Sequence, residues 1–319
     1  MKLVTFLKSE GLPRVGIVHN NVVIEAQSAL DYLKIAARAG SMLEVIENDS
    51  LAALQKVLVA YRENRLPAEL VHDEKSLKLL SPIPRPTSMR DGYAFRQHVE
   101  AARRNRGVPM IPEFDHFPVF YFTNHLAVGG PGDVGVQKLA RDKLDYELEV
   151  AIVIGKGGKN IAASSADAHI FGFMIMNDWS ARALQMEEMK LNLGPAKGKD
   201  FSTTLGPYLI TRDELAKYAI PGPHGERHDL EMRAFVNGKQ LSQGNLKDMN
   251  WTFAQIIERA SYGVTLHSGE VIGSGTVGTG CLLELNGSKI TNQWIEPGDE
   301  VVMEVDHLGR LVNRVVAVD

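Results

Sequence analysis

The run Leu144-Asp145-Tyr146-Glu147-Leu148-Glu149-Val150-Ala151-Ile152-Val153-Ile154 places two carboxylates one residue apart at the start of an apolar stretch. The β-branched residues of that stretch predict a strand. Because side chains two apart in a strand lie on the same face, Glu147 and Glu149 project together and repel each other unless a cation lies between them. Oxygen ligands suit Mg²⁺, Ca²⁺ or Mn²⁺, and no histidine or cysteine lies near this run in the sequence to favour zinc or copper.

A Glu-x-Glu pattern alone also fits a solvated strand face, since half-exposed antiparallel strands alternate in this way. A further acid, Asp178, follows downstream in Met176-Asn177-Asp178-Trp179-Ser180. This acid and the motifs described below favour a site for a hard divalent cation, and therefore an enzyme, over the simpler interpretation.

The composition is that of an ordinary globular protein, with 319 residues of which 44% are hydrophobic and 23% charged. The net charge of −4 gives no global attraction for nucleic acid. The apolar runs are too short for a membrane helix or a signal-peptide core, so we expect a protein that neither spans a membrane nor binds nucleic acid. Cys281 is the only cysteine, which excludes an intramolecular disulfide and predicts a cytoplasmic location.

Three prolines in Leu80-Ser81-Pro82-Ile83-Pro84-Arg85-Pro86 mark a predicted boundary between a small α+β domain, residues 1–83, and a second domain, residues 84–319. The first domain is predicted to have three strands and two amphipathic helices. The second shows no regular βαβ alternation, so we predict a mixed, mainly β, largely antiparallel body. Its predicted helices cover residues 178–189 and 253–261, and its predicted strands cover residues 117–122, 149–154, 171–176, 208–210, 231–236, 271–272, 281–285, 300–305 and 311–318.

Five motifs in order resemble the fumarylacetoacetate hydrolase family from about Ser81 onward. They are Asp91-Gly92-Tyr93-Ala94-Phe95-Arg96-Gln97-His98, Glu147-x-Glu149, Asn177-Asp178-Trp179-Ser180-Ala181-Arg182, Gly198-Lys199-Asp200-Phe201-Ser202-Thr203-Thr204-Leu205-Gly206-Pro207 and Ser274-Gly275-Thr276. The resemblance implies a β-roll catalytic domain with the metal at its mouth, a small N-terminal domain and a homodimer.

The resemblance also implies residue roles. His98 would be the catalytic base and Glu284 the acid that orients it. The metal ligands would be Asp91, Glu147, Glu149 and Asp178; the groups stabilising the oxyanion would be Arg182, Gln185 and Lys199; and the substrate contacts would be Tyr93, Tyr121 and Thr276.

Two departures favour the longer, true hydrolase branch over the short branch of acylpyruvate hydrolases, decarboxylases and isomerases. Ala101 stands where the short branch has a glutamate three residues after the histidine, and Val277 stands where it has proline. Glu100 remains an alternative partner for His98. Gly107 occupies the place of the arginine that meets the distal carboxylate of the substrate, which leaves three alternatives for that contact: Arg103, Arg104 and Arg106.

Our first hypothesis is Mg²⁺- or Ca²⁺-dependent hydrolysis of a carbon–carbon bond in a β-diketo acid, such as fumarylacetoacetate, in the breakdown of aromatic compounds including tyrosine. Such a reaction needs a base to activate water and a cation to stabilise an enolate. The alternative is decarboxylation or isomerisation of a 2-oxo dicarboxylic acid at the same metal site. A third hypothesis, a non-catalytic metal-stabilised binding module, is disfavoured because such a site needs no equivalent of His98, Lys199 or Glu284.

Overall fold

Strands dominate the computed structural model, which describes residues 1–8, 11–192 and 194–318. In chain order the strands are β1 Lys2–Leu7, β2 Arg14–His19, β3 Val22–Glu25, β4 Val71–Asp73, β5 Lys78–Leu79, β6 Met89–Gly92, β7 Phe120–Phe122, β8 Val128–Gly129, β9 Gly132–Gln137, β10 Leu144–Asp145, β11 Leu148–Ile154, β12 Gly158–Lys159, β13 Ile170–Asp178, β14 Ser180–Ala181, β15 Thr203–Thr211, β16 Ala219–Ile220, β17 Arg227–His228, β18 Glu231–Val236, β19 Lys239–Asn245, β20 Thr265–Leu266, β21 Val271–Gly273, β22 Glu300–Val305 and β23 Gly309–Val318.

The helices are short and lie between the strands. They are α1 Ala26–Tyr32, α2 Met42–Glu47, α3 Leu51–Arg62, α4 Arg96–Asn105, α5 Ala163–Ala166, α6 Arg182–Glu188, α7 Arg212–Leu215, α8 Phe253–Ser261 and α9 Leu282–Gly287. A capping box between Thr252 and Gln255 fixes the start of α8. Within the described ranges, no helix combines the length and the apolar character needed to cross a membrane.

Two sheets organise the described part of the chain. The larger has 12 strands with the central order β4-β3-β2-β1-β15-β13-β11-β21-β6-β7, and the smaller has the order β19-β18-β22-β23-β9. Most neighbours are antiparallel, while β6 with β21, β8 with β15 and β9 with β23 are parallel. The predicted mixed, mainly β fold is confirmed.

Strand β11 separates two apolar cores, as its alternation predicts. Leu148, Val150 and Ile152 belong to the core shared with the smaller sheet. Ala151 and Val153 belong to the core that also contains Leu3 and Leu54 of the N-terminal segment. The N-terminal strands continue the large sheet through pairing of β1 with β15, so the boundary at residue 83 stays a prediction.

Two predicted elements are wrong. Residues 281–285 were predicted as a strand, but Leu282–Gly287 is a helix, because the buried carboxylate of Asp145 accepts the backbone N–H groups of Leu282 and Leu283 and satisfies the first helical turn. The helix predicted for residues 178–189 begins only at Arg182. Asp178 instead ends strand β13, where it pairs with Thr203 of β15.

Candidate active site

Neighbouring strands bring acidic residues to one end of the large sheet. In β6, Asp91 pairs with Gly273 of β21. In β11, Glu149 pairs with Met176 of β13, the strand that ends at Asp178. Glu147 directly precedes β11, and all four carboxylates are buried. One oxygen each of Asp91, Glu147 and Asp178 lie within 4.8 Å of one another.

The Ser274-Gly275-Thr276 motif supports two of these carboxylates. The backbone N–H of Gly275 donates to Asp91 Oδ1 at 3.1 Å, and the hydroxyl of Thr276 donates to Glu149 Oε1 at 3.2 Å. Gly273 gives the carboxylate room, since a Cβ at that position would lie 2.3 Å from Asp91 Oδ1. Thr276, which the family resemblance places against the substrate, therefore also orients a carboxylate of the cluster.

Two cationic side chains contact the cluster. Lys199 Nζ donates to Glu147 and, at 2.7 Å, to Asp178 Oδ2. Arg182 donates to Glu147 Oε1 at 2.6 Å and to Asp145 Oδ2 at 2.8 Å. The guanidinium and the ammonium are both buried, so these ion pairs are shielded from water.

Burial and mutual repulsion oppose ionisation of the other acids. They raise the pKa of Asp91 to about 7 and the pKa of Glu149 well above its usual value; after burial, the strongest effect on Asp91 comes from the charge of Asp178, and that on Glu149 from the charge of Asp91. Burial acts in the same direction on Glu147, but the charges of Lys199 and Arg182 outweigh it and lower the pKa. The two cations therefore favour the ionised form of Glu147, and the five buried carboxylates, Asp91, Asp145, Glu147, Glu149 and Asp178, still outnumber them.

The donor set fits a hard divalent cation. Two buried oxygens, Glu149 Oε2 and Asp178 Oδ1, accept no hydrogen bond within the part of the chain that the structure describes. Such atoms are costly in a folded protein unless a cation or water completes them. Four clustered carboxylates satisfy the preference of Mg²⁺, Ca²⁺ and Mn²⁺ for oxygen ligands.

A histidine–carboxylate pair lies beside this cluster. His98, on α4, and Glu284, on α9, approach with Nδ1 and Oε2 at 2.7 Å, and both side chains are buried. Because a carboxylate only accepts hydrogen bonds, Nδ1 carries a proton, and in the neutral ring the lone pair is therefore on Nε2. The ring of Tyr93 meets the His98 ring edge-on, with centroids 5.9 Å apart.

The sequence left alternatives open for the partner of His98 and for the contact with the distal carboxylate of the substrate. Glu100 is exposed and pairs with Arg96 at 2.7 Å, so the structure brings Glu284 and not Glu100 to His98. Arg103 donates to the carbonyl of Pro109 at 2.8 Å, and Arg106 donates to the carbonyl of Ala102 at 3.0 Å.

The remaining predicted site residues also join the cluster. The Tyr121 hydroxyl donates to Asp178 Oδ2, and Gln185 Oε1 accepts from Arg182 Nη1 at 3.0 Å. The twelve side chains that the family resemblance selects lie on β6, β7, β11, β13, α4, α6, α9 and the segments between them.

Two residues that support the site, Asp145 and Thr279, were not identified from the sequence. Asp145 holds both Arg182 and the start of α9, and its position two residues before Glu147 was a signal that it shares the same face. Thr279 donates its backbone N–H to Glu284 Oε1 at 2.9 Å from a left-handed conformation with φ of 66°. No local sequence pattern predicts the contact between the Thr279 N–H and Glu284, because a β-branched residue is rare in the left-handed conformation.

Comparison with known proteins identifies relatives over most of the chain. The family model described as "Fumarylacetoacetate (FAA) hydrolase C-terminal" matches residues 87–316. A fumarylacetoacetase of Oryza sativa subsp. japonica is 31% identical over 80% of this chain and 73% of its own. The oxaloacetate tautomerase YisK of Bacillus subtilis (strain 168) is 29% identical over 94% of both chains.

A solved structure shares the fold. The maleylpyruvate hydrolase from Sphingobium sp. SYK-6, in complex with manganese (II) ion and pyruvate, matches over the full length of both chains with a TM-score of 0.71 and 20% identity. At that identity the likeness shows the fold alone. The relatives include both hydrolases and tautomerases.

Proposed function

This chain belongs to the fumarylacetoacetate hydrolase family, and from that premise we propose that it is a divalent-metal-dependent hydrolase that cleaves a carbon–carbon bond in a β-diketo acid. One observation carries the proposal: a buried His98–Glu284 pair stands beside a buried carboxylate cluster that fits a cation. A binding module would need the cluster but not an oriented base.

His98 has the arrangement of a general base. Glu284 accepts the Nδ1 proton and fixes the tautomer in which Nε2 can take a proton from water. The water oxygen then forms a bond to the substrate carbonyl carbon, and the adjacent carbon–carbon bond breaks. Its electron pair leaves as an enolate that regains a proton, which yields a carboxylic acid and a keto acid.

Asp91, Glu147, Glu149 and Asp178 are the residues that would hold the metal. When bound, Mg²⁺, Ca²⁺ or Mn²⁺ supplies Lewis acidity that stabilises negative charge on the substrate oxygens. These four side chains come from three strands of the large sheet, β6, β11 and β13, and from the residue that precedes β11, so the backbone hydrogen bonds of the sheet keep their spacing.

Lys199 supplies the donor for the developing oxyanion. An ammonium group has three N–H bonds, and two of them reach Glu147 and Asp178, so a third can be donated to substrate. Arg182 is held by Asp145, Glu147 and Gln185, which makes it a rigid positive charge near the same point. Loss of one oxyanion donor typically raises the barrier by about 2.7–4 kcal/mol.

A second candidate is tautomerisation, isomerisation or decarboxylation of a 2-oxo dicarboxylic acid. Its support is the oxaloacetate tautomerase, whose similarity extends over 94% of both chains. The same enolate is needed, and the proton moves to and from substrate carbon with no attacking water. His98 and Glu284 suit that transfer equally well.

Assay of the purified protein on fumarylacetoacetate, acylpyruvates and oxaloacetate separates the candidates. Each substrate is tested with Mg²⁺, Ca²⁺, Mn²⁺ or excess EDTA. We expect cleavage of a β-diketo acid that requires a cation. Enol–keto exchange or decarboxylation of oxaloacetate with no cleavage would select the second candidate. Metal binding with no turnover of any substrate would select the binding module.

We also propose that the chain forms a homodimer. Large apolar side chains are exposed at Phe122, Leu126 and Leu191, where a partner surface would remove them from water. Light scattering coupled to size exclusion should give twice the mass of the 35.1 kDa chain. A monomeric mass at micromolar concentration would reject this assembly.

A further inference from the structure

Cys281 forms a second cluster of metal-ligating side chains with the catalytic pair. One ring nitrogen of His98, Cys281 Sγ and one carboxylate oxygen of Glu284 all lie within 4.8 Å of one another. Their exposures are 7%, 0% and 5%, so all three side chains are buried. The proposed reaction uses His98 and Glu284, but Cys281 has no role in it.

This donor set differs in chemistry from the carboxylate cluster. One nitrogen, one sulfur and one oxygen match the ligands of zinc, which takes three protein ligands and keeps a fourth position open in many sites. Zn–S and Zn–N bond lengths place tetrahedral ligand atoms roughly 3.4–3.7 Å apart. Atoms that already lie within 4.8 Å need to move by only about 1 Å to reach that spacing.

We propose that His98, Cys281 and Glu284 form an inhibitory Zn²⁺ site beside the hard-cation centre. Binding of zinc by this cluster does not depend on which reaction the enzyme performs. Only the inhibition rests on the proposed function, because zinc would occupy the base.

Charge balance favours zinc in this buried position. A thiolate, a carboxylate and a neutral imidazole together cancel the two positive charges of the ion, and the thiol proton is released to solvent. A neutral cluster avoids the large cost of burying an unpaired charge. Mg²⁺ gains little here, because it prefers oxygen ligands and keeps its water.

The inhibition has a defined pattern. A ring nitrogen bound to zinc, and a Glu284 carboxylate turned to the metal, cannot orient and activate water. Raising the Mg²⁺ concentration does not restore turnover, because Mg²⁺ acts at the other cluster. Zinc that merely replaced Mg²⁺ among Asp91, Glu147, Glu149 and Asp178 would be displaced by excess Mg²⁺ and would be indifferent to Cys281.

Cobalt(II) titration of the Mg²⁺-loaded full chain tests the site without using activity. Cobalt takes zinc sites and gives a near-ultraviolet thiolate-to-metal charge-transfer band, and Cys281 is the only cysteine that can produce it. We expect the band in the wild-type protein, its loss on adding Zn²⁺, and its absence in Cys281→Ala and in Cys281→Ser. No band in the folded wild-type protein would overturn the proposal.

Zinc inhibition is then measured on the same proteins at low and high Mg²⁺. We expect Cys281→Ala to raise the half-inhibitory zinc concentration by about tenfold or more, with basal turnover retained. Cys281→Ser, which keeps the side-chain shape, serves if the alanine variant does not fold. Equal zinc sensitivity in wild type and variant, or full relief by Mg²⁺, would refute the inhibition. If no substrate is turned over, the cobalt titration still decides the site.

Discussion

His98 Nδ1 and Glu284 Oε2 lie 2.7 Å apart although 186 residues separate them in the chain. The contact joins helix α4, which follows β6, to helix α9, which follows the Ser274-Gly275-Thr276 motif. Both residues are buried, so the carboxylate orients the imidazole without competition from water. The carboxylate in turn receives the backbone N–H of Thr279 on its other oxygen, which fixes it from both sides.

Replacement of Glu284 by glutamine should lower kcat on the physiological substrate by on the order of 10²-fold or more. A glutamine can present either oxygen or NH₂ to Nδ1 and cannot stabilise an imidazolium. Glu100→Gln is the matched control, because Glu100 is exposed and bound to Arg96. Steady-state kinetics on both variants check the prediction. A severe loss in Glu100→Gln with a mild loss in Glu284→Gln would reverse the assignment.

Thr279 should position Glu284 through its own side chain. Its hydroxyl donates to the carbonyl of Gln243 at 3.0 Å and accepts from the N–H of Gln243 at 3.2 Å, which holds its unfavourable left-handed backbone. We predict that Thr279→Val lowers kcat on the order of tenfold with little change in KM, and that Thr279→Ser stays near wild type. Equal kinetics in the Thr279→Val and Thr279→Ser variants would show that the hydroxyl does not help to position Glu284.

Glu149→Gln should weaken Mg²⁺ binding by about tenfold or more and lower activity, with partial recovery at high Mg²⁺. Without metal the variant should be at least as stable as wild type, because burial and the charge of Asp91 already favour a neutral group at this position. Calorimetric metal titration and denaturant unfolding measure the two effects. Unchanged metal affinity together with unchanged turnover would remove Glu149 from the metal site.

The strands next to the site could be predicted from the sequence, and the long-range contacts could not. The residue pattern around β11 was sufficient to predict a strand there, because a strand buried on both faces carries its apolar pattern in its own residues. The secondary structure of residues 281–285 could not be predicted in this way, since the helix there depends on Asp145, which lies 137 residues before Leu282. Glu284 could be identified by family resemblance even though its element was predicted wrongly.

Within the site, the sequence likewise could not predict which side chains pair with each other. The sequence named Glu284 and Glu100 as candidates for His98, but only the packing of α9 against α4 decides which one is close. Asp145 carries a carboxylate in the same run as Glu147, and nothing local separates a metal ligand from an arginine partner. Thr279 contributes mainly a backbone N–H, which every residue except proline has.

His228 should make the protein lose stability as the pH falls from about 6.5 to about 4. Burial lowers its pKa to about 4, its Nε2 has no hydrogen-bond partner in the described residues, and its ring lies 4.6 Å from that of Phe173. The unfolded chain therefore takes up this proton first, so stability present above pH 6.5 is lost as the pH falls towards the folded pKa. The loss reaches about 3 kcal/mol at most.

His228→Phe isolates this effect, because the other titrating groups are common to both proteins. The difference in the free energy of unfolding between variant and wild type should grow in favour of the variant between pH 7.5 and pH 4.5. Denaturant unfolding at several pH values measures it. A difference that stays constant with pH would mean that His228 titrates alike in the folded and unfolded chains.

The most direct test of the catalytic account is the turnover of His98→Ala with its metal content measured on the same sample. The account predicts that kcat falls by roughly 10²–10⁴-fold, the usual contribution of general acid–base catalysis, while Mg²⁺ affinity and folding stay close to wild type. Wild-type kcat in a folded, metal-loaded His98→Ala protein would contradict the assignment of His98 as the base.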